Sequence, residues 1–286
     1  WRVKTSYNPS SAGETENMAT ALLHRRQWVG FDNAPVSSMM MMDMPLEFLG
    51  KTHGVGFHMM NEKIGLFSNT TTSGQYTYKV KFEGNKYLNF GLQLSYASID
   101  FDASGIYIPD GSDIHDPNDP AIPGGGSTGK AFDGGFGVSW ITPKYWIGIS
   151  SLHLWEPKFD LDDTHTSFIG RTYYLMGGYN IQLSNPLISL QPSALVKADA
   201  AVYQIDVTGR IVYNKMFSGG ITWRKDDGFV FLLGANIKNF DVGYSYDLST
   251  SAIAKVSNGS HEICVKYSIP LGKKKSPGGY KSVRIL

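Results

Sequence analysis

The sequence predicts an all-β fold: a transmembrane, antiparallel, up-and-down β-barrel of fourteen strands. Three observations carry this. The stretch Tyr87–Asp102 alternates strictly, with Leu88, Phe90, Leu92, Leu94 and Tyr96 on one face and Asn89, Gly91, Gln93, Ser95 and Ala97 on the other. A period of two is that of a strand with one apolar and one polar or small side. At about 15 residues it spans roughly 50 Å, whereas strands of water-soluble proteins average about 5–6 residues and a tilted membrane strand needs about 9–11. The second observation is that turn residues cut the rest of the chain into further stretches of the same kind. The third is that the long connections all follow odd-numbered strands, as in outer-membrane barrels with long extracellular loops and short periplasmic turns.

In chain order, residues 1–17 lack periodicity and carry the turn-rich YNPSSAG, so they are expected to be a periplasmic N-terminal segment, free to fold into the periplasmic mouth and help close the lumen. The barrel is expected over 18–271, as strands at 18–31, 35–48, 53–64, 68–84, 86–102, 131–142 and 144–157, followed by 166–184, 186–198, 202–214, 217–226, 229–238, 240–249 and 260–271. Tight turns fall at Glu83–Asn85, Pro143, Asn185 and Asn239, and long loops at 103–130, 158–165 and 250–259. Tyr76, Tyr78, Val80 and Phe82 oppose Gln75, Thr77, Lys79 and Lys81, and Phe240, Val242, Tyr244 and Tyr246 oppose Asp241, Gly243, Ser245 and Asp247. Pro192 interrupts one ladder, and 144–157 fits only with a bulge. The last segment, 272–286, is a basic tail, and both termini are expected in the periplasm of a bacterial cell.

Composition agrees without deciding. Of 286 residues 42% are hydrophobic, 32 are Gly and 16 are Tyr, which suits aromatic girdles but also soluble propellers and sandwiches. A net charge of +1 argues against a dedicated nucleic-acid binder. One cysteine, Cys264, excludes an internal disulfide framework. A mean hydropathy of −0.19 is compatible with a membrane barrel, because half of each strand faces a polar lumen. Trp28, Trp140, Trp146, Trp155 and Trp223 are candidates for the interfacial belts.

Candidate sites are few. Gly124–Lys130 has phosphate-loop spacing, but Ala131 stands where Ser or Thr would hold magnesium, and no helix follows; it reads as a flexible loop. Asp110, Asp113, Asp116 and Asp119 could hold calcium, yet their spacing is not that of an EF-hand and a solvated acidic loop is the default. The seven His residues are scattered, so no metal site is expected, and no catalytic constellation or cofactor site appears. Cys264 should face the lumen as a packing residue. Lys79, Lys81, Lys197, Asp206, Arg210, Arg224, Asp241, Asp247, Glu262 and Lys266 should face inward, either as an ion-pair network closing the lumen or as the charges of a porin constriction. The tail residues Lys273, Lys274, Lys275, Lys281 and Arg284 form a candidate docking surface for a periplasmic partner, or a merely solvated end. The run Met39–Met42 fits no pattern.

Several stretches resemble the PorP/SprF family of Bacteroidota outer-membrane proteins. YNPSSAG, with Asn8, Pro9 and Gly13, looks like that family's Asn-Pro-x-x-Ala-Gly opening. RRQWVGFDNAP, with Arg26, Gln27, Trp28, Gly30, Ala34 and Pro35, is similar to its Arg-x-Gln-Trp-x-Gly…Ala-Pro signature, with Asn33 where Gly is usual. NEKIGLF, WEPKF, LMGGYNI, LQPSALVK, GITWRKDD, GYSYD and NGSHEI follow in the family's order. The resemblance implies a non-enzymatic component of type IX secretion and gliding motility, working with periplasmic ring lipoproteins, a peptidoglycan-binding lipoprotein and, in some members, a secreted surface adhesin. An outer-membrane channel for a small solute or lipid stays open as an alternative, and a soluble β-sandwich adhesin as a third class.

Overall fold

The computed structural model describes residues 2–102, 126–162 and 165–271. The acidic run Asp110–Asp119, most of the loop 103–130 and the tail cations Lys273, Lys274, Lys275, Lys281 and Arg284 lie outside them.

Fourteen strands form one closed antiparallel barrel. They are β1 (Asn17–Arg26), β2 (Val36–Phe48), β3 (Lys51–Ile64), β4 (Phe67–Phe82), β5 (Lys86–Phe101), β6 (Ser127–Ile141) and β7 (Tyr145–Leu152). The second half comprises β8 (Thr172–Tyr179, continued by Ile181–Gln182), β9 (Ile188–Ala198), β10 (Tyr203–Tyr213), β11 (Phe217–Arg224), β12 (Gly228–Ile237), β13 (Phe240–Ser249) and β14 (Ser260–Pro270). Each strand pairs with its sequence neighbours, and β1 closes the circle on β14 from Asn17↔Pro270 to Arg26↔His261. Closure leaves no edge to satisfy in a lipid phase.

The alternation read from the sequence sets the two faces of the wall. On β5, Phe90, Leu92, Leu94 and Tyr96 are exposed outward, while Asn89, Ser95 and Ala97 are buried inward. On β4, Tyr76 and Tyr78 point out and Ser73, Gln75, Thr77 and Lys79 in. The turns 49–50, 83–85, 142–144, 214–216 and 238–239 gather at one rim, the turn end, together with Asn17 and Pro270. The turn Leu49–Gly50 takes positive φ at both residues (49° and 70°), which matches the twist of a hairpin and which Gly50 adopts without strain. The connections 102–126, 153–171 and 250–259 gather at the other rim, the loop end.

The structure departs from the expected strand bounds where local geometry overrides the pattern. Strand β1 stops at Arg26, not 31, because Trp28 (φ 51°) and Gly30 (φ 99°) turn the chain. Strand β7 stops at Leu152, not 157, because His153 (φ 57°) and Glu156 (φ 48°) are left-handed. The expected strand 166–184 divides: Thr166–Phe168 pairs with Lys158–Asp160 in a separate hairpin, and the barrel strand begins at Thr172. Its break at Asn180 lies opposite Gln191–Pro192, where proline has no N–H to give, and the Gln191 side chain donates to Asn180 Oδ1 at 3.3 Å instead. Strand β6 starts at Ser127 rather than 131, so Ser127–Lys130 is strand and not flexible loop. It pairs with β5 from Ile99↔Gly129 outward, fastened by Thr128 Oγ1 to Asp100 at 2.6 Å.

The small hairpin of the 153–171 connection has a defined job. Its Phe159 is fully buried against Ala97 and Ile99 on the inner wall, with Ala131, Leu161 and Ile169 around it. The loop end of β5 and β6 is therefore apolar inside as well as outside, and the hairpin covers that patch.

Candidate functional site: a lumenal plug and its seat

Residues 2–16 do not stay at the rim; they fold into the turn-end half of the lumen. Two short 3-10 turns, Lys4–Ser6 and Pro9–Ser11, build the segment. The second is preset by its sequence. Asn8 Oδ1 accepts from the Ser10 backbone at 2.9 Å, and Pro9 supplies the fixed φ of a first helical position. Asn8, Ser10 and Ala12 are fully buried.

The wall meets this segment with hydrogen bonds from one strand after another. Asn8 Nδ2 donates to the carbonyls of Val138 and Ile149, both at 3.3 Å. Ser10 Oγ lies 2.9 Å from Ser139 Oγ, and Asn89 Nδ2 donates to the Ser10 carbonyl at 3.3 Å. Thr77 Oγ1 donates to the Pro9 carbonyl and Gln75 Nε2 to the Thr5 carbonyl, each at 2.8 Å. Ser150 Oγ reaches the Tyr7 carbonyl at 2.6 Å, Gly13 N–H reaches Asp43 at 2.9 Å, and the Lys79 ammonium caps the Gly13 carbonyl. An irregular backbone has carbonyls with no ladder to join, and these inward polar side chains satisfy them.

Close approach needs a wall without side chains at the points of contact. A Cβ on Gly91 would overlap the Ser10 nitrogen, one on Gly137 the Asn8 amide, and one on Gly54 the Ala12 carbonyl. Gly74 and Gly209, by contrast, have open space where a Cβ would go. Inward glycine on β3, β5 and β6 thus forms the seat. Tyr7 packs on Tyr174 with ring centroids 5.5 Å apart, Lys4 Nζ sits 4.2 Å from the Trp146 ring, and Arg2 pairs with Asp241.

Beyond the plug, the inward charges form a network. Arg25 reaches Asp247 at 2.6 Å and Glu262 at 3.5 Å. Arg224 reaches Asp206 at 3.2 Å, Asp227 at 3.1 Å and Asp247 at 3.2 Å. Among the cavities formed by the described residues, two adjoin in the lumen. One of about 410 Å³ lies between Lys4 and Tyr7 of the plug and the wall around Met176, Leu195, Val230 and Leu232. One of about 500 Å³ lies over the plug towards the loop end, walled by Arg25, Met39, His58, Met60 and Cys264.

The expected residues fall in three places. Asn8, Pro9 and Gly13 are plug residues in the seat. Arg26 ends β1, and Gln27, Gly30, Ala34 and Pro35 belong to the β1–β2 connection at the loop end, where Gln27 N–H bonds the Pro35 carbonyl at 2.9 Å and Trp28 N–H bonds Ser260 Oγ at 3.1 Å. Arg26 is exposed there, and its neighbour Arg25 is the arginine that enters the lumen. Trp140 points outward, edge-on to Phe82 at 5.4 Å, and Trp223 is exposed on the outer face, but Trp146 faces the lumen beneath Lys4, so it is no belt residue. Lys81 is exposed near the turn-end rim, and Cys264 is buried opposite Leu23. Among the described residues no three of His, Cys, Asp and Glu converge as a metal-ligand set.

A closed wall, greasy outside and polar within, holding its own N-terminal segment in a glycine seat, defines a plugged transmembrane β-barrel. Solved structures share the wall. They include the TodX deltaS2S3 mutant monoaromatic hydrocarbon channel (TM-score 0.56, 8% identity, 94% of each chain covered). The CymD monoaromatic hydrocarbon channel is similar too (TM-score 0.53, 11% identity, 94% of this chain and 92% of that one). So is the Pseudomonas putida toluene transporter TodX (TM-score 0.53, 8% identity, 94% and 93%). At such identities the likeness is one of fold. The chain itself belongs to the PorP/SprF family, described as type IX secretion system membrane protein, whose match runs over residues 2–267. No curated protein matches it.

Proposed function

We propose that this chain is a non-enzymatic outer-membrane subunit of the type IX secretion machinery that works as a closed, anchoring barrel rather than as an open pore. The observation that carries this reading is the buried N-terminal plug, bonded along its length to β2, β4, β5, β6 and β7. A conduit would not fill half its bore with a segment held by so many buried hydrogen bonds, each stabilising by about 0.5–1.5 kcal/mol. The turn end, with Asn17 and Pro270, faces the periplasm in this reading and offers the rim and the basic tail to ring lipoproteins and a peptidoglycan-binding lipoprotein. The loop end faces outward, available to a secreted surface protein.

Affinity purification of the tagged chain from native membranes tests this. Ring lipoproteins should co-elute, and deletion of residues 272–286 should weaken their recovery if the tail cations dock them. Unchanged recovery removes the tail from the interface. Recovery of the barrel alone, under detergent conditions that keep the secretion machinery intact, contradicts the anchoring role.

A further inference from the structure

The run Met39–Met42 lies on β2, and strand alternation sends its members to opposite faces. Met40 is exposed on the outer wall, as is Met59 on β3. Met39 and Met41 turn inward, and their partners across the ladder are Met60 and His58: Met39↔Met60 and Met41↔His58. Side chains of directly opposed residues start about 4.5–5.5 Å apart at Cβ, and His58 and Met60, two residues apart on one face, are separated by about 7 Å. Three thioethers and one imidazole therefore share a single two-by-two patch of the inner wall.

Their environments differ in a way that selects among them. Met41 is buried against the plug, with Thr5 Oγ1 3.8 Å from its sulfur. Met39, Met60 and His58 line the 500 Å³ cavity. His58 is only 8% exposed, and its Nε2 has no hydrogen-bond partner. A buried imidazole nitrogen left without a partner is costly and calls for an explanation. Thioether sulfur cannot offer it a hydrogen, since it is at most a weak acceptor. Carboxylates and waters suit hard cations, whereas thioethers select soft ones, cuprous copper above all, and imidazole suits copper as well.

We propose that Met39, Met60 and His58 Nε2 form a lumenal binding site for a soft monovalent metal ion, Cu(I). The ion fills the unmet valence of His58 and joins β2 to β3 directly above the plug. This site goes beyond the anchoring reading and does not depend on it.

The test uses purified, tag-free full-length barrel in detergent, titrated anaerobically with Cu(I) buffered by bicinchoninate, with Ag(I) as a redox-inert second probe. The wild type should take up one equivalent of each ion, with sulfur and nitrogen scatterers in its X-ray absorption spectrum. The double variant Met39→Leu/Met60→Leu keeps the volume of both side chains and should lose at least 90% of that uptake, and His58→Gln should lose the nitrogen scatterer. The outward pair Met40→Leu/Met59→Leu should bind as the wild type does. Cys264→Ser separates this site from a thiolate on the same cavity wall and should leave uptake unchanged. Wild-type uptake by Met39→Leu/Met60→Leu, equal loss in the outward pair, or loss in Cys264→Ser alone would each overturn the assignment. Retained heat-modifiable migration on gels shows for each variant that the barrel has folded.

Discussion

Valine at Gly91 or Gly137 is expected to evict the plug while leaving the barrel folded. At both positions the added Cβ overlaps plug atoms, the Ser10 backbone nitrogen in one case and the Asn8 amide in the other, before the two γ-methyls are counted. Overpacking of a tight site costs about 1–3 kcal/mol. Here the wall is a closed hydrogen-bonded cylinder and the plug a short segment tethered at Asn17, so the plug is the part that gives way. Once Asn8 leaves, its bonds to Val138 and Ile149 are lost together with the Ser10 contacts to Ser139 and Asn89. Trypsin should then cleave after Lys4 at least tenfold faster than in the wild type, read by mass spectrometry of intact protein in detergent. Gly74→Val is the control, since open space meets its Cβ, and should cleave at the wild-type rate. Equal rates in Gly91→Val, Gly137→Val and Gly74→Val would mean that the glycine seat does not hold the plug.

Asp247→Ala is expected to be the most destabilising single change in the inner wall. Its Oδ2 receives both Arg25 and Arg224, and its side chain is only 5% exposed. Removing one partner from a buried ion pair costs about 3–5 kcal/mol, because the other charge stays behind. Arg25 keeps Glu262 and Arg224 keeps Asp206 and Asp227, so the lower figure, about 3 kcal/mol, applies. Urea unfolding in lipid vesicles measures it, and the loss should change little with added salt, since a shielded pair is poorly screened. Lys225→Ala removes an exposed partner of Asp226 and should produce no measurable change. A salt-sensitive or negligible loss in Asp247→Ala would show that water, rather than Asp247, supports these arginines.

The wall was legible in the sequence because one face of each strand meets lipid and the other does not, so alternation recorded the register directly. The fourteen strands, the Pro192 interruption and the inward charges of β9 to β14 all follow from that. The plug was legible only as a segment free to fold into the periplasmic mouth; its seat was not. Residues 1–17 have no periodicity, and the wall partners of Asn8 and Ser10 lie more than 75 positions away in the chain. A trace of it did exist: Gly91 and Gly137 stand at inward positions, where a strand gains nothing from glycine unless another backbone comes close. The bounds of β7 and β8 were missed for a different reason. Nothing in Thr166–Phe168 distinguishes a three-residue hairpin strand from the start of a membrane strand; only the left-handed turns at His153 and Glu156 reveal it. Ile99 faces inward although apolar, because Phe159 of a distant hairpin covers that end of the wall.

Conductance in planar bilayers tests the central claim most directly. The full chain is expected to give no sustained current, and the same chain lacking residues 2–16 is expected to give discrete, long-lived steps, since the bore then keeps only its cavities and inward side chains. Steady conductance of the full chain, equal to that of the truncated one, would contradict a lumen closed by its own N-terminal segment.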